Sequence, residues 1–124
     1  MIKDINFIRN NAGYKENFEE YINKNIDDFT ASFVEKNLSF FKSWELDQII
    51  SKVLFSEEFL EKHYQSLDKS TIARHQKFSE SFYMKHFNDL PASTVLKHGI
   101  NDWRKKTNRS SKLDVFLRLK GVTY

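Results

Sequence analysis

The 124-residue chain contains no cysteine, one proline and three glycines. The absence of cysteine excludes disulfides and thiolate zinc sites and is compatible with a reducing compartment. The scarcity of proline and glycine disfavours a turn-rich sandwich or barrel, because those folds need such residues at their chain reversals. No apolar run approaches the roughly 18 residues of a membrane span, and residues 1–11 lack the features of a signal peptide. We therefore expect a soluble protein of the cytoplasm.

Length and composition favour a single folded domain. Hydrophobic residues make up 40% of the chain, which includes twelve phenylalanines, and a chain of this length can bury one core. The charge is uneven: residues 1–68 carry 8 basic and 13 acidic side chains, whereas residues 97–124 carry 8 basic and 2 acidic. A basic end of this kind suits either nucleic acid or an acidic protein partner.

Residues 55–77 and 78–100 are two copies of one sequence, with ten of 23 aligned positions identical. Each copy opens Phe-Ser-Glu, which predicts a serine N-cap, an acidic first turn and a hydrophobic staple across the cap. A second short helix is predicted from Asp68 and from Pro91, and Gly99 is predicted to end the second copy in the left-handed conformation. The predicted caps are Ser56 and Ser79, and the staple pairs are Phe55–Leu60 and Phe78–Tyr83.

A third copy lies upstream, where residues 29–37 match residues 55–63 with Thr30 as cap and Val34 as staple partner. A three-residue insertion follows it, between Leu38 and Ser43. Tandem hairpins of about 23 residues predict an all-α fold, a short solenoid in which each unit buries its apolar face against its neighbours. The phenylalanines expected in its core are Phe29, Phe33, Phe55, Phe59, Phe78 and Phe82.

The two ends of the chain predict capping helices. The first has the apolar stripe Phe18, Tyr21, Ile22 and Ile26. The last has Ser111 and Asp114 as a variant capping box, Leu113, Phe116 and Leu117 facing inward, and Gly121 as its stop. The predicted single domain, 1–124, is thus divided into an N-terminal cap (1–28), three helical repeats (29–54, 55–77, 78–100) and a basic C-terminal cap (101–124).

The phrase IARHQKFSESFYMKHFNDL resembles the short tandem helical repeats of bacteriophage and large-virus proteins, roughly Ile-Ser-x-Tyr-Gln-x-Leu-Ser-Glu-Glu-Phe-Ile. The resemblance covers about residues 29–100, and it departs from the pattern where phenylalanine replaces an opening leucine and Gly99 replaces glutamine. It implies a phage or mobile-element origin and supplies no catalytic residues. The residues that carry it are Ile72, Gln76, Ser79, Glu80 and Phe82, and one unit earlier Ser56, Glu57, Glu58 and Phe59.

Four histidines occupy paired repeat positions, His63 with His86 and His75 with His98. Histidine clusters can bind metal. However, equivalent residues of stacked helices lie about 8–10 Å apart, whereas zinc holds nitrogen at about 2.0–2.1 Å. We interpret all four as scaffold residues and expect no metal and no cofactor.

The sequence does not predict an enzyme. No phosphate loop, nucleophile elbow, HExxH motif or paired metal-ligand spacing occurs, and general acid–base chemistry needs a pocket that shifts a pKa as well as a carboxylate. We interpret the N-terminal carboxylates as solvated or dipole-facing groups that could present negative charge to a partner. They are Glu16, Glu19, Glu20, Asp27 and Asp28.

The basic C-terminal segment is the strongest candidate for a functional site. Cations can neutralise phosphates and an aromatic ring can stack on a base; alternatively, the segment is a capping helix with a basic outer face and Trp103 in the core. A helix-turn-helix around Gly99 is not supported, because Lys105 falls where its second helix needs an apolar residue. The predicted binding residues are Trp103, Arg104, Lys105, Lys106, Arg109, Lys112, Arg118 and Lys120.

The leading functional hypothesis is a non-enzymatic, phage-type binding protein. It would dock its solenoid surface on a host or defence protein in the bacterial cytoplasm and inhibit it, as an anti-CRISPR or other anti-defence inhibitor does, because solenoids present broad, rigid surfaces. The alternative is a DNA- or RNA-binding protein that uses the basic C-terminal segment. A structural role, such as virion assembly, also stays open.

Overall fold

The computed structural model describes residues 1–122, and all of the regular secondary structure in that range is helical. Within that range it forms eight α-helices, one π-helix and short 3₁₀ turns, with no strand. The predicted all-α fold is confirmed. The helices are α1 (Ile2–Arg9), α2 (Tyr14–Lys24), α3 (Ala31–Lys36), α4 (Ser43–Lys52), α5 (Glu57–Lys62), α6 (Lys69–His75), α7 (Glu80–Lys85), π1 (Thr94–His98) and α8 (Ser111–Leu119).

Hydroxyl caps begin the first helix of each predicted repeat. In each case the side-chain oxygen accepts a hydrogen bond from the amide three residues later, which satisfies one of the donors that a helix start leaves unpaired. The three predicted caps are therefore confirmed. The bonds are Thr30 Oγ1 from Phe33 N (3.1 Å), Ser56 Oγ from Phe59 N (3.2 Å) and Ser79 Oγ from Phe82 N (3.1 Å).

Helix α8 has a different cap from the predicted one. Ser110, not Ser111, is its N-cap, and the Ser110 hydroxyl accepts a hydrogen bond from the Leu113 amide at 3.1 Å. The predicted capping box of Ser111 and Asp114 is therefore wrong. Two adjacent serines are equally eligible by local sequence, and the choice follows from tertiary contact: the Ser110 amide donates to Glu80 at 3.0 Å, and its hydroxyl donates to the same carboxylate.

Of the six phenylalanines predicted to lie in the core, all but Phe33 are buried. Phe33 is half-buried, edge-on to Phe29 and to Phe41 at centroid distances of 5.8 and 6.2 Å, so its predicted burial is wrong in degree. The staple partners Val34, Leu60 and Tyr83 are fully enclosed. The predicted core phenylalanines that are buried are Phe29, Phe55, Phe59, Phe78 and Phe82.

The second helices of the predicted hairpins pack in chain order. Helix α4 contacts α6, and α6 contacts π1; α1 packs on α2, α2 on α4, and α7 on α8. Asp68 caps α6 by accepting a hydrogen bond from the Thr71 amide at 2.9 Å, which confirms that helix start. In the third repeat, the helix predicted from Pro91 is π-helical over Thr94–His98.

The predicted left-handed conformation of Gly99 is wrong. Its backbone is extended, with φ −78° and ψ 160°. The position excludes a side chain for lack of space, because a Cβ there would lie 2.5 Å from the Val95 carbonyl oxygen and 2.7 Å from that of Ala73. Gly121 does adopt the left-handed conformation, with φ +78°, just after α8.

The apolar stripes of the terminal helices are mostly as predicted. Phe18 and Ile22 are fully buried in α2 and Tyr21 is half-buried. Ile26 departs from the stripe, because α2 ends at Lys24 and Ile26 lies in the next turn, 40% exposed. In α8 the inward-facing residues are Leu113 and Leu117, buried, and Phe116, half-buried.

Candidate binding surface

Trp103 lies in the core and not on the basic surface. It is 7% exposed; its ring stacks on Tyr83 at 5.7 Å and meets Phe78 edge-on at 5.8 Å. Both neighbours belong to the third repeat, so the indole ties the C-terminal segment to that repeat. Trp103 therefore lies in the core, as predicted by the alternative in which the segment is a capping helix. This position leaves no open indole face on which a base could stack.

Arg109 is also buried. Its side chain is 2% exposed and lies 3.5 Å from the Asp114 carboxylate, which also pairs with Arg118 at 2.6 Å. A buried guanidinium needs such a partner, because desolvating an unpaired charge is costly. Arg109 therefore anchors the start of α8, and Asp114 neutralises part of the local positive charge.

Six of the eight predicted binding residues remain exposed. Arg104, Lys105 and Lys106 lie in the loop that leads to the 3₁₀ turn Lys106–Asn108. This loop turns at Asp102, whose backbone has φ +57° and whose carboxylate accepts a hydrogen bond from Asn108 at 3.1 Å. We call the exposed set the basic face: Arg104, Lys105, Lys106, Lys112, Arg118 and Lys120.

A shallow depression of about 330 Å³ lies beside the start of α8. Its walls carry cations and hydroxyls, but the Asp114 carboxylate also lines it and already pairs with two arginines. The depression therefore offers ion pairing to a partner. Its lining is Lys106, Arg109, Ser110, Ser111, Asp114, Val115 and Arg118.

A larger open depression of about 450 Å³ lies beside the insertion in the first repeat. It is lined by serines, apolar side chains and Glu35, whose carboxylate is engaged by Lys62 and lies 3.4 Å from His63 Nε2. The hydrogen bond from Lys62 is the main reason that the pKa of Glu35 is lowered. A carboxylate held ionised in this way is a weak general base.

The paired histidines have two different environments. His63 and His86 are half-buried and face carboxylates of the preceding repeat, with His86 Nε2 at 2.8 Å from Glu61. His75 and His98 are exposed. Among residues 1–122, no group of three or more histidine, aspartate and glutamate side chains is placed to hold a metal ion.

Two glutamates reach from one repeat to the cap of the next helix, which the sequence did not predict. Glu57 accepts hydrogen bonds from the Ser79 amide at 2.7 Å and from its hydroxyl at 2.6 Å. Glu80 makes the equivalent pair of bonds to Ser110. From local sequence these acids were expected to serve their own helix dipoles. The recurrence of Ser-Glu at 23-residue spacing is the signal that could have revealed the longer-range role.

Buried amides also connect the repeats. Gln76 accepts a hydrogen bond from the Phe55 amide at 2.9 Å and donates to Ile50 and Val53 carbonyls at 2.6 and 2.7 Å. One repeat later, Asn101 accepts from the Phe78 amide at 3.1 Å and donates to the Gln76 carbonyl at 3.2 Å. Asn101 thus takes over the role of the glutamine that Gly99 replaces in the repeat pattern, which spacing alone did not indicate.

Glu45 forms a buried polar cluster that ties the N-terminal segment to α4. Its carboxylate accepts hydrogen bonds from Arg9 Nε at 2.8 Å, from the Tyr14 hydroxyl and from the Lys42 amide at 2.8 Å. Arg9 also donates to the Phe40 carbonyl at 2.8 Å. Burial opposes ionisation of Glu45, but the bonds from Arg9, Tyr14 and Lys42 outweigh it and lower the pKa of this carboxyl.

The remaining acidic residues of the N-terminal cap are exposed or paired at the surface. Glu20 pairs with Lys24 at 3.2 Å, as its i,i+4 spacing predicts, and Glu19 pairs with Lys52 at 3.0 Å.

No helix within residues 1–122 has both the length and the apolar character needed to cross a membrane. Comparison of the chain with protein-family models, with curated proteins and with solved structures found no match.

Proposed function

We propose that the chain is a non-enzymatic, phage-type binding protein that docks on a host or defence protein and inhibits it. The observation that carries the proposal is the basic face, six exposed cations on a segment anchored by Trp103 and Arg109. Side chains held by a packed scaffold lose less conformational freedom on binding than those on a mobile tail. An anti-CRISPR or other anti-defence inhibitor acting in the bacterial cytoplasm is the concrete form of this function.

The proposed scaffold is a short solenoid of three hairpins, 29–54, 55–77 and 78–100, with capping segments 1–28 and 101–124. The chain-order packing of α4, α6 and π1 supports it. So do the contacts that recur between successive repeats, from Glu35 to Lys62 and from Glu61 to Lys85. A stack of this kind presents an extended, rigid surface without needing a catalytic group.

A protein partner with an acidic surface fits the basic face best. Proteins that bind single-stranded nucleic acid commonly use exposed aromatic rings on which bases stack, and Trp103 is enclosed by Tyr83 and Phe78. Electrostatic complementarity raises the association rate and makes it sensitive to salt. Inhibition then follows from steric occlusion of the partner's working surface.

The test is affinity capture from a bacterial lysate, with and without nuclease, by the wild-type chain and two charge-reversal variants. The first variant changes Arg104, Lys105, Lys106 and Lys112 to glutamate and leaves buried Arg109 intact. The matched control changes four exposed lysines elsewhere, Lys3, Lys15, Lys36 and Lys77. We expect the wild-type chain to capture a protein partner whether or not the lysate is treated with nuclease. The association rate with this partner should fall about tenfold in the first variant and stay unchanged in the control. Equal capture by both variants would contradict the role of the basic face.

Nucleic acid binding is the second candidate, favoured by three consecutive exposed cations, Arg104–Lys106. Cations of this kind contact phosphates and do not read base sequence. Fluorescence anisotropy with unrelated duplex and single-stranded oligonucleotides across a salt series distinguishes the candidates. Binding at micromolar concentration or tighter, with a steep salt slope, would favour this function over protein binding.

A further inference from the structure

The second helices of the three repeats end side by side. Gln76, which follows α6, donates hydrogen bonds to the Ile50 and Val53 carbonyls at the end of α4. At the end of π1, a Cβ on Gly99 would lie 2.7 Å from the Ala73 carbonyl oxygen of α6. The last turns of α4, α6 and π1 are therefore neighbours, and helices that pack against each other have axes about 8–10 Å apart.

Each of these three helices carries basic side chains in its last turn. The 23-residue repeat places them at two successive equivalent positions. All except Lys52 are exposed, and the Lys52 side chain, 30% exposed, pairs with Glu19 at 3.0 Å. We call this set the helix-end row: Lys52 in α4, Arg74 and His75 in α6, and Lys97 and His98 in π1.

The positive charges of the helix-end row act on one another. The pKa of His75 is lowered, first by partial desolvation and then by the charges of Arg74 and Lys52. Lys52 belongs to the neighbouring helix, so the row brings charges of different repeats close together. A cation in a last turn favours the dipole of its own helix, but placing such turns side by side adds repulsion between their cations. An anion bound along the row would offset this repulsion.

We propose that the helix-end row binds the phosphate backbone of duplex nucleic acid without reading its sequence. Basic side chains repeated at successive helix ends suit a partner whose own charges repeat, and duplex DNA carries about one negative charge per 1.7 Å of its axis. The row contains no phenylalanine, tyrosine or tryptophan on which an unpaired base could stack, which favours a duplex over a single strand. The row shares no residue with the basic face, and the proposal goes beyond protein binding and does not depend on it.

Fluorescence anisotropy tests the proposal with a labelled DNA duplex of about 20 base pairs and arbitrary sequence, between about 50 and about 200 mM salt. Arg74→Gln with Lys97→Gln removes one cation from α6 and one from π1. We expect this double variant to bind about tenfold more weakly and to lose about two from the slope of log K against log salt, because each phosphate contact contributes about 0.9. The matched control, Lys3→Gln with Lys36→Gln, removes two exposed lysines elsewhere and should bind nearly as the wild type does.

A second measurement leaves the row intact. Proton NMR follows the titration of the His75 ring, assigned with the variant His75→Gln, in the free protein and with saturating duplex. We expect the pKa of His75 to rise when the duplex binds, because phosphates offset the charges of Arg74 and Lys52. A pKa of His75 that the bound duplex leaves unchanged would contradict contact at the row.

Other outcomes would also overturn the proposal. They are the absence of wild-type binding at about 100 μM protein in about 50 mM salt, and equal binding by the double variant and its control, with circular dichroism confirming that both are folded. Loss of binding only in Arg104→Gln with Lys105→Gln would place the contact on the basic face instead. Poly-glutamate that competes as well as unlabelled duplex would indicate an acidic protein partner for the row.

Discussion

Single buried polar side chains hold neighbouring repeats in register. Gln76 is fully buried and bonds one amide and two carbonyls of the segment before it. Glu45 is equally buried, and its carboxylate accepts hydrogen bonds from Arg9, Tyr14 and the Lys42 amide. Removing one partner from such a group leaves the others unsatisfied in the interior, so the cost exceeds the net value of one hydrogen bond.

Replacing Gln76 tests this directly. Gln76→Leu keeps the volume but leaves the Phe55 amide and the Ile50 and Val53 carbonyls without their partner, so we expect the free energy of unfolding to fall by about 3 kcal/mol. Urea denaturation followed by circular dichroism gives the value. The control is Gln65→Leu at an exposed position, which should change stability by less than about 0.5 kcal/mol. Equal effects of the two changes would contradict the bridging role.

Glu45 should make stability depend on pH. Its pKa in the folded protein is lowered, so the ionised carboxylate stabilises the fold above the ordinary glutamate value, and that stabilisation is lost as pH falls through the folded value. Glu45→Gln should lower the free energy of unfolding by about 3 kcal/mol at pH 7, since it leaves Arg9 without its carboxylate. The difference in free energy of unfolding between wild type and variant should become smaller below about pH 4.

Denaturation of both proteins from pH 7 to about pH 3 measures this gap. Glu16→Gln, at an exposed position of α2, is the control and should match the wild type at every pH. A gap that is constant over the whole range would show that Glu45 acts through its shape and not through its charge.

A hydroxyl cap begins α3, α5, α7 and α8, and in α7 and α8 a carboxylate of an earlier helix also binds the cap residue. Thr30, Ser56, Ser79 and Ser110 make the same bond to the amide three residues later. From α7 onward, a glutamate of the preceding repeat also accepts from the cap serine. The cap serine thus makes one hydrogen bond within its own helix and another to an earlier helix. The two bonds stabilise the start of the helix and the contact between the helices together.

The adjacent serines of α8 separate local from tertiary effects. Ser110→Ala removes the cap bond to Leu113 and the hydroxyl bond to Glu80, so we expect a loss of about 1–2 kcal/mol. Ser111→Ala changes the first helical residue, which is exposed, and should cost less than about 0.5 kcal/mol. Thermal or urea unfolding of the two variants gives the comparison. A larger effect at Ser111 would place the helix start where the local sequence suggested.

The residues that the structure describes, 1–122, share one continuous core. Buried residues extend from Ile5 in α1 to Leu117 in α8 in one cluster, and the repeats contact their neighbours in chain order. In the proposed solenoid, stability would be the sum of the contributions of the repeats and of the interfaces between them. A short stack with well-formed interfaces should still unfold as one cooperative unit.

The two tryptophans can report on this cooperativity from opposite parts of the chain. Trp44 packs against Tyr14 at 4.7 Å and Trp103 against Tyr83 at 5.7 Å. In single-tryptophan variants, Trp44→Phe and Trp103→Phe, we expect fluorescence and circular dichroism to give the same midpoint within each protein. Phe59→Ala, a truncation at a buried central position, should lower the free energy of unfolding by about 3–5 kcal/mol in both backgrounds. Separate midpoints would indicate independently folding ends.

Most local features of this protein could be predicted from its sequence, apart from the cap of α8 and the conformation of Gly99. Caps, staples and helical stripes depend on residues within about four or five positions of one another, so the repeat of Phe-Ser-Glu was enough to place α5 and α7 and to indicate an all-α fold. The basic character of residues 101–124 could also be predicted, because it follows directly from their composition. These features required no knowledge of which helices touch.

Features that depend on distant partners could not be predicted in the same way. Trp103 and Arg109 were candidates for the binding surface, but contact with the third repeat and with Asp114 buries them. The partners of Gln76 lie 21 to 26 positions away in the chain, and Glu45 and Arg9 are 36 apart. Local spacing carries no information about such pairs, because the packing of the helices brings them together.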